Sequence, residues 1–231
     1  MENLIIDPKA RMLFVFPHPD DETYFAGGLI QRAIKKAGET VVVCLTKGEA
    51  STLNFTNNTE AALSDIRSWE FVEVMKIFSV KNYELGSFRD GGLKNSETQV
   101  YDYLKQIVEK YKPSHLITFE PHGVYGHPDH IALSNCVKSL CNRLNIKLIY
   151  TTVSKNYRSD ESSLQMAEDP KKVSPLEPNV RLMLTPQELI TKIKALKAYK
   201  SQIGVKQETL AQTLHQIAKL RFLPFEYFTK A

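Results

Sequence analysis

With 231 residues, 42% of them hydrophobic and 24% charged, the chain has the balance of a soluble globular protein, long enough to bury a core without disulfides. The net charge of +4 comes from scattered Lys and Arg, which excludes a basic stripe for nucleic acid. The three cysteines form no CxxC pair and are odd in number, which argues against a disulfide framework and for a reducing compartment.

In chain order, Met12–Phe16 is a continuous apolar run, the pattern of a strand buried on both faces. A helix is expected from about Glu22 to Ala37, closed by Gly38 as its C-terminal glycine. Thr40–Leu45 is a second buried strand, and Leu63, Ile66, Val74 and Phe78 set a helix over about Glu60–Phe78. Tyr83–Leu85 gives a short third strand, Glu97–Tyr111 a helix stopped near Pro113, and His115–Phe119 a fourth strand. A helix over about Pro128–Asn142 and a fifth strand over Lys147–Val153 complete the alternation. Residues 154–178 are rich in Ser, Lys, Glu and Pro and read as an exposed loop or insertion. Thr185, Pro186 and Glu188 form a capping box at the start of a helix whose apolar stripe is Leu189, Ile193, Leu196 and Ile203.

Strands alternating with helices imply parallel pairing through right-handed crossovers. The expected fold is α/β: a Rossmann-like, doubly wound, mostly parallel sheet with a C-terminal helical extension. One domain is expected over 1–231, with the Rossmann-like core at about 11–153. Residues 154–231 would supply the insertion loop and a C-terminal strand and helices. No segment approaches the ~20 apolar residues that cross a bilayer, and Met12–Phe16 is too short for a signal core. A cytoplasmic protein without a membrane span is expected.

Two segments carry chemistry. Pro17-His18-Pro19-Asp20-Asp21-Glu22 follows the first strand, and Gly126-His127-Pro128-Asp129-His130 follows the fourth. They hold three of the six histidines, with His122 close by. In a sheet of order 3-2-1-4-5 both segments leave the carboxyl ends of adjacent strands, at the switch point where such folds bind ligands. His18 and Asp21 are three apart, as are His127 and His130, and Asp20 and Asp129 add carboxylates. Imidazole and carboxylate are zinc ligands, and a catalytic zinc keeps three protein ligands and one open position. Adjacent Asp20 and Asp21 should divide the work, one binding the ion and the other moving protons.

The pair His18-Pro19-Asp20-Asp21-Glu22 and His127-Pro128-Asp129-His130 resembles the signature of the PIG-L/LmbE-like deacetylases. That family includes de-N-acetylases of N-acetylglucosaminyl-phosphatidylinositol and enzymes of mycothiol and bacillithiol synthesis. The resemblance covers residues 11 to 135 clearly and the remainder loosely. It implies that His18, Asp21 and His130 bind Zn2+ and that Asp20 is the general base. It further implies that His127 stabilises the oxyanion or protonates the leaving amine, and that Tyr125 lies near the tetrahedral intermediate. Arg67 and Asp90 match positions that contact substrate hydroxyls. Many members carry a histidine before a Ser-Gln pair in the C-terminal helix; here Tyr199 takes that place, before Lys200-Ser201-Gln202. The function implied is hydrolysis of an N-acetyl group from an N-acetylglucosamine-type conjugate, with a small-molecule amino-sugar substrate as partner.

Two alternatives remain at this stage. An amidase acting on a larger thiol-sugar conjugate would use the same motifs, which serve the bond and not its decoration. A nucleotide-binding Rossmann module would need a Gly-rich loop after the first strand. Here that loop carries two carboxylates, and Gly27-Gly28 comes too late. Fe2+ suits a site of two histidines and one carboxylate as well as zinc does.

Overall fold

The apolar runs pair as parallel strands. β1 (Arg11–Phe16), β2 (Glu39–Thr46), β3 (Asn82–Phe88), β4 (His115–Phe119) and β5 (Lys147–Thr152) lie in the order β3-β2-β1-β4-β5, as the alternation predicts. The helices are α1 (Asp21–Lys36), α2 (Glu60–Phe78), α3 (Glu97–Tyr111), a short turn α4 (Gly123–Gly126), α5 (Pro128–Leu144), α6 (Glu161–Gln165), α7 (Pro186–Ala198) and α8 (Lys200–Ile203). The structure, a computed structural model, describes residues 6–52, 54–56, 59–157, 159, 161–203 and 224–231; the stretch 204–223 of the expected helical extension lies outside them.

Side chains alternate across a strand, and here they feed two cores. Phe14, Phe16, Val42, Cys44, Ile117 and Phe119 face one side, with Leu29 of α1, Phe71 of α2 and Ala195 of α7. Leu13, Val15, Val41, Val43, Leu45 and Leu116 face the other, with Leu104 of α3 and Leu133 of α5. Burial on both faces explains why these strands read as unbroken apolar runs. The three cysteines are free and buried. Among the described residues no helix is long and apolar enough to cross a membrane.

Three local expectations are revised. Gly38 is not a left-handed cap: α1 ends on Ala37 in an extended conformation. Gly38 is small because its backbone passes the Pro8 carbonyl, which a Cβ would meet at 3.1 Å. The C-terminal helix does not run unbroken to Ile203; it stops at Ala198, Tyr199 turns inward, and α8 begins at Lys200. Glu70 stabilises the new start, accepting the Ser201 N–H at 2.8 Å and its hydroxyl at 2.6 Å. The C-terminal region adds two strands to the sheet: β6 (Val180–Met183) and β7 (Phe225–Lys230), giving seven strands in the order β3-β2-β1-β4-β5-β7-β6. β7 runs antiparallel to both β5 and β6.

β7 also reaches α1. The buried Glu226 carboxylate accepts the amides of Gly28 at 2.6 Å and Leu29 at 3.0 Å. Lys192 of α7 bonds Glu226 at 2.7 Å and the Tyr24 carbonyl at 2.7 Å. In a regular helix the Gly28 amide pairs with the Tyr24 carbonyl. The ion pair therefore engages both halves of one helical hydrogen bond and ties α1, α7 and β7 together.

Lys192→Met leaves Glu226 buried without its cation, and a loss of about 3–5 kcal/mol in urea unfolding is expected; a loss below about 1 kcal/mol would contradict a structural role for the pair. The Arg32–Glu188 pair gives a pH signature. Arg32 Nε and Nη2 each donate to Glu188 at 2.8 Å. Burial pushes the Glu188 pKa up, but Arg32 and the Thr185 amide outweigh it and hold the carboxyl at about 2, against an ordinary 4.5. A depressed folded pKa means this stabilisation is complete above pH 4.5 and is lost as the pH falls toward 2. With Arg32 partly exposed, the contribution is about 1–2 kcal/mol. Glu188→Gln should lower the urea midpoint at pH 7 and leave it near the parent value at pH 2.5.

Candidate metal and hydrolytic site

β1 and β4 pair directly, with Met12 opposite His115 and Phe14 opposite Ile117. The segments that follow them converge above the carboxyl edge of the sheet. There a cavity of about 350 Å3 is lined by His18, Asp20, Asp21, Arg67, Asp90, Tyr125 and His127, with Gln165, Met166 and Gln202 at its side. The cavity thus gathers every sequence-expected site residue except His130, which lies beneath it with no exposed surface. A cavity of about 370 Å3 at the opposite edge of the sheet, lined by Ala10, Met12, His115 and Lys147, holds none of them.

Asp21 Oδ2 is the hub. It lies 3.1 Å from His18 Nδ1 and 3.5 Å from His130 Nε2, and it accepts the His18 amide at 3.2 Å. The other nitrogen of His130 lies 3.2 Å from the Gly123 carbonyl, and its ring stacks on Phe119 at 3.9 Å between centroids. His18 Nε2 is 3.0 Å from Asp90 Oδ1 and 3.4 Å from Asp129 Oδ2, in directions that form no hydrogen bond. Two sets of three donors, His18–His127–His130 and His18–Asp90–Asp129, have atoms within 4.8 Å of one another and are able to hold a metal ion. Both share His18, and Asp21 Oδ2 bridges it to His130. The donors fit a divalent cation on three counts: a buried His18 nitrogen has no hydrogen bond, three carboxylates surround one imidazole, and His130 is oriented by a backbone carbonyl.

The electrostatics follow from this crowding. Burial works against charge on His18, yet Asp90, Asp129 and Asp21 hold its pKa well above the usual histidine value. Burial would raise Asp21, but His130 and His18 bring it far below the carboxylate range. Asp90 is likewise held at about 2, with His18 and Arg67 overcoming its burial. Asp20 goes the other way: burial, with Asp21 and Glu22 beside it, pushes it to about 8 despite the opposing Arg67. His127 falls to about 2 through burial and the neighbouring His130 and His18. Its Nδ1 accepts the Asp129 amide at 3.2 Å, so the neutral ring carries its proton on Nε2.

Asp20 has a strained backbone, φ 110 and ψ −35, which costs a non-glycine residue about 1–3 kcal/mol. It caps α1 without using its side chain, so the carboxylate is not spent on the helix amides. Arg67 enforces this arrangement. Sequence resemblance assigns it to substrate hydroxyls; the structure places it at 2% exposure, donating to the Pro19 carbonyl and, at 2.9 Å, to the Gly48 carbonyl. Its Nη2 is also 3.2 Å from Asp20 Oδ2. Gly48, at φ +68, leaves room for this guanidinium, which a Cβ would meet at 2.3 Å. Tyr125 places its hydroxyl 3.4 Å from His130 Nε2.

Sequence reasoning missed several supporting groups. Glu120 is fully buried at the end of β4 and accepts the amides of His122 at 2.9 Å, Val124 at 2.6 Å and Leu176 at 3.3 Å. It thereby holds Val124 at φ 64, an outlier for a β-branched residue, and ties the 154–178 segment to the site. Asp129, read only as a candidate ligand, also accepts the amides of Gly91 at 2.8 Å and Leu93 at 3.0 Å. A carboxylate directly after a buried strand was the available signal for Glu120.

Residues 13–141 match the family profile PIG-L, described as GlcNAc-PI de-N-acetylase. That match spans more than half of the chain, and the chain belongs to the PIG-L family. Among curated relatives, the probable N-acetyl-alpha-D-glucosaminyl L-malate deacetylase 2 of Bacillus cereus is 33% identical over 141 residues, covering 59% of this chain and 63% of the relative. The 1D-myo-inositol 2-acetamido-2-deoxy-alpha-D-glucopyranoside deacetylase of Streptomyces avermitilis is 29% identical over 147 residues, covering 54% of this chain and 50% of the relative. The match therefore spans about half to just under two thirds of these relatives. Among solved structures, the N,N'-diacetylchitobiose deacetylase of Pyrococcus horikoshii superposes with a TM-score of 0.69 at 21% identity, over 96% of this chain and 84% of that one, so the fold is shared.

Arg67→Lys keeps the charge but cannot hold two carbonyls and Asp20 in one planar fork. A loss of about 1–3 kcal/mol in urea unfolding is expected, from buried carbonyls left unpaired; an unchanged midpoint would show that Arg67 does not clamp the loop.

Proposed function

We propose that the protein is a zinc-dependent hydrolase that removes the N-acetyl group from an N-acetylglucosamine-type conjugate, releasing acetate and a free amine. The observation that carries this reading is the meeting of His18, Asp21 and His130 around one carboxylate oxygen, with Asp20 beside them in the same cavity. The names of the Bacillus and Streptomyces relatives support the substrate class. His18, Asp21 and His130 would hold the ion. When bound, zinc supplies Lewis acidity for the amide carbonyl and for water.

The remaining steps fall to the chain itself. Asp20 takes a proton from water as its oxygen attacks the acetyl carbon. Burial outweighs Arg67 and holds its pKa at about 8; a divalent charge nearby would lower it, so that the carboxylate is ionised when the reaction starts. His127, neutral and protonated on Nε2, donates to the developing oxyanion, as a cationic acid would not be populated there. As the C–N bond breaks, Asp20 returns its proton to the leaving nitrogen. Asp90 and Tyr125 line the cavity; in this reading Asp90 would meet substrate hydroxyls and Tyr125 the tetrahedral centre. The buried free cysteines support a reducing, cytoplasmic setting.

The test compares the parent protein with His130→Ala and Asp20→Asn, all prepared identically. Near-stoichiometric zinc or iron is expected in the parent and in Asp20→Asn, and its loss in His130→Ala. Amine release from N-acetylglucosamine conjugates should fall about 100- to 10,000-fold in Asp20→Asn. A parent that takes up no metal after reconstitution, with its fold intact, sinks the hydrolase reading. A parent that cleaves only larger thiol-sugar amides would select the amidase instead.

A further inference from the structure

Tyr199 has no exposed surface and takes no part in the chemistry above. Its hydroxyl donates to Glu22 Oε1 at 2.7 Å, and the Thr23 hydroxyl donates to the same oxygen at 2.5 Å. The opposite oxygen, Oε2, accepts the backbone amide of Asp20 at 2.9 Å. Glu22 is fully buried, and among the described residues no Lys or Arg pairs with it. Neutral donors on both edges hold its carboxylate. A terminal carboxylate torsion is broad and roughly two-fold; Thr23 and Asp20 are chain neighbours of Glu22 and move with it, so of these three donors Tyr199 is the one that anchors the carboxylate from another part of the fold. The Asp20 amide is held by Glu22 on one side of a residue whose φ of 110 is disfavoured, while Arg67 holds the carbonyl before it and its carboxylate.

The geometry points to Tyr199 as a positioning residue: by locking Glu22 it fixes the Asp20 amide and so aims the Asp20 carboxylate into the cavity. This rests on the reading of Asp20 as the base. The coupling crosses the fold, because Tyr199 lies at the break between α7 and α8, 177 residues from Glu22. Glu70 secures that break through Ser201, so the C-terminal region sets the attitude of the catalytic loop. The alternative role for Tyr199 is as core filling, which the ring alone provides.

Tyr199→Phe separates the two roles, since it keeps the ring and removes the donor. Amide hydrogen exchange at Asp20, resolved by NMR on metal-free protein, should quicken about tenfold or more in the variant. In the zinc-loaded enzyme kcat should fall about 10- to 100-fold with KM within about twofold, and metal content should be unchanged. Tyr199→His, which restores an N–H donor, should recover kcat to within about fivefold of the parent. Should Tyr199→Phe not fold, Glu22→Gln carries the same readouts, because its amide accepts on one oxygen only. Exchange and kcat within about twofold of the parent would overturn the proposal, as would a kcat loss that only tracks the unfolded fraction. A parent with no hydrolytic activity would sink the reading of Asp20 as base, while the exchange comparison would still decide whether Tyr199 holds its amide.

Discussion

Every feature of the site depends on the parallel pairing of β1 with β4. Strand order reverses there: the crossover from β1 leads to β2 on one side, and that from β4 leads to β5 on the other. The two following loops therefore diverge and leave a cleft between them. His18 and His130 are brought together by backbone ladders in the middle of a sheet, not by the mobility of loops. The apolar runs that make those strands also exclude water beneath the cleft, since His130 lies flat on Phe119. Core packing and the placement of His18 and His130 are thus set by the same residues.

The cleft gathers more carboxylates than cations, and the backbone keeps them there. Glu22 takes the Asp20 amide, Asp90 the Ala50 amide, Asp129 those of Gly91 and Leu93, and Glu120 those of His122, Val124 and Leu176. Hydrogen bonds of this kind offset much of the cost of burying charge. They also explain the strained dihedrals at Asp20 and Val124, because each residue's N–H is claimed by a buried carboxylate. The acidic excess that would repel a pyrophosphate is the same excess that suits a divalent cation.

The central sheet was legible because its strands are buried on both faces and its helices carry caps and stripes. Thr185 and Glu188 form the expected capping box. β6 and β7 were not placed, because each buries only one face, as the alternating Val180 and Leu182 against Arg181 and Met183 show. Such alternations, over four residues in β6 and six in β7, are too short to separate from loop. At the site, His18, Asp20, Asp21, His127 and His130 were legible from their positions after two strands. Arg67 was legible as a residue of interest but not as a clamp, since a lone arginine on a helix does not reveal which carbonyls it meets. Glu22, Glu120 and Tyr199 act through contacts far apart in sequence, and neither periodicity nor spacing records such partners.

The position of β7 has a consequence for how the chain folds. Among the described residues β6 pairs with β7, and β7 alone connects it to β5. Residues 180–183 therefore have no place in the sheet until residues 225–230 have docked. The same docking delivers Glu226 to amides 198 and 197 residues away on α1. Contacts that distant close slowly, because loop entropy is lost before they form. During synthesis the part of the sheet from β3 to β5 would form first and wait, with α1 bare along one side, for a strand that emerges far later. That interval is when the protein is most open to capture by a chaperone or by another nascent copy of itself.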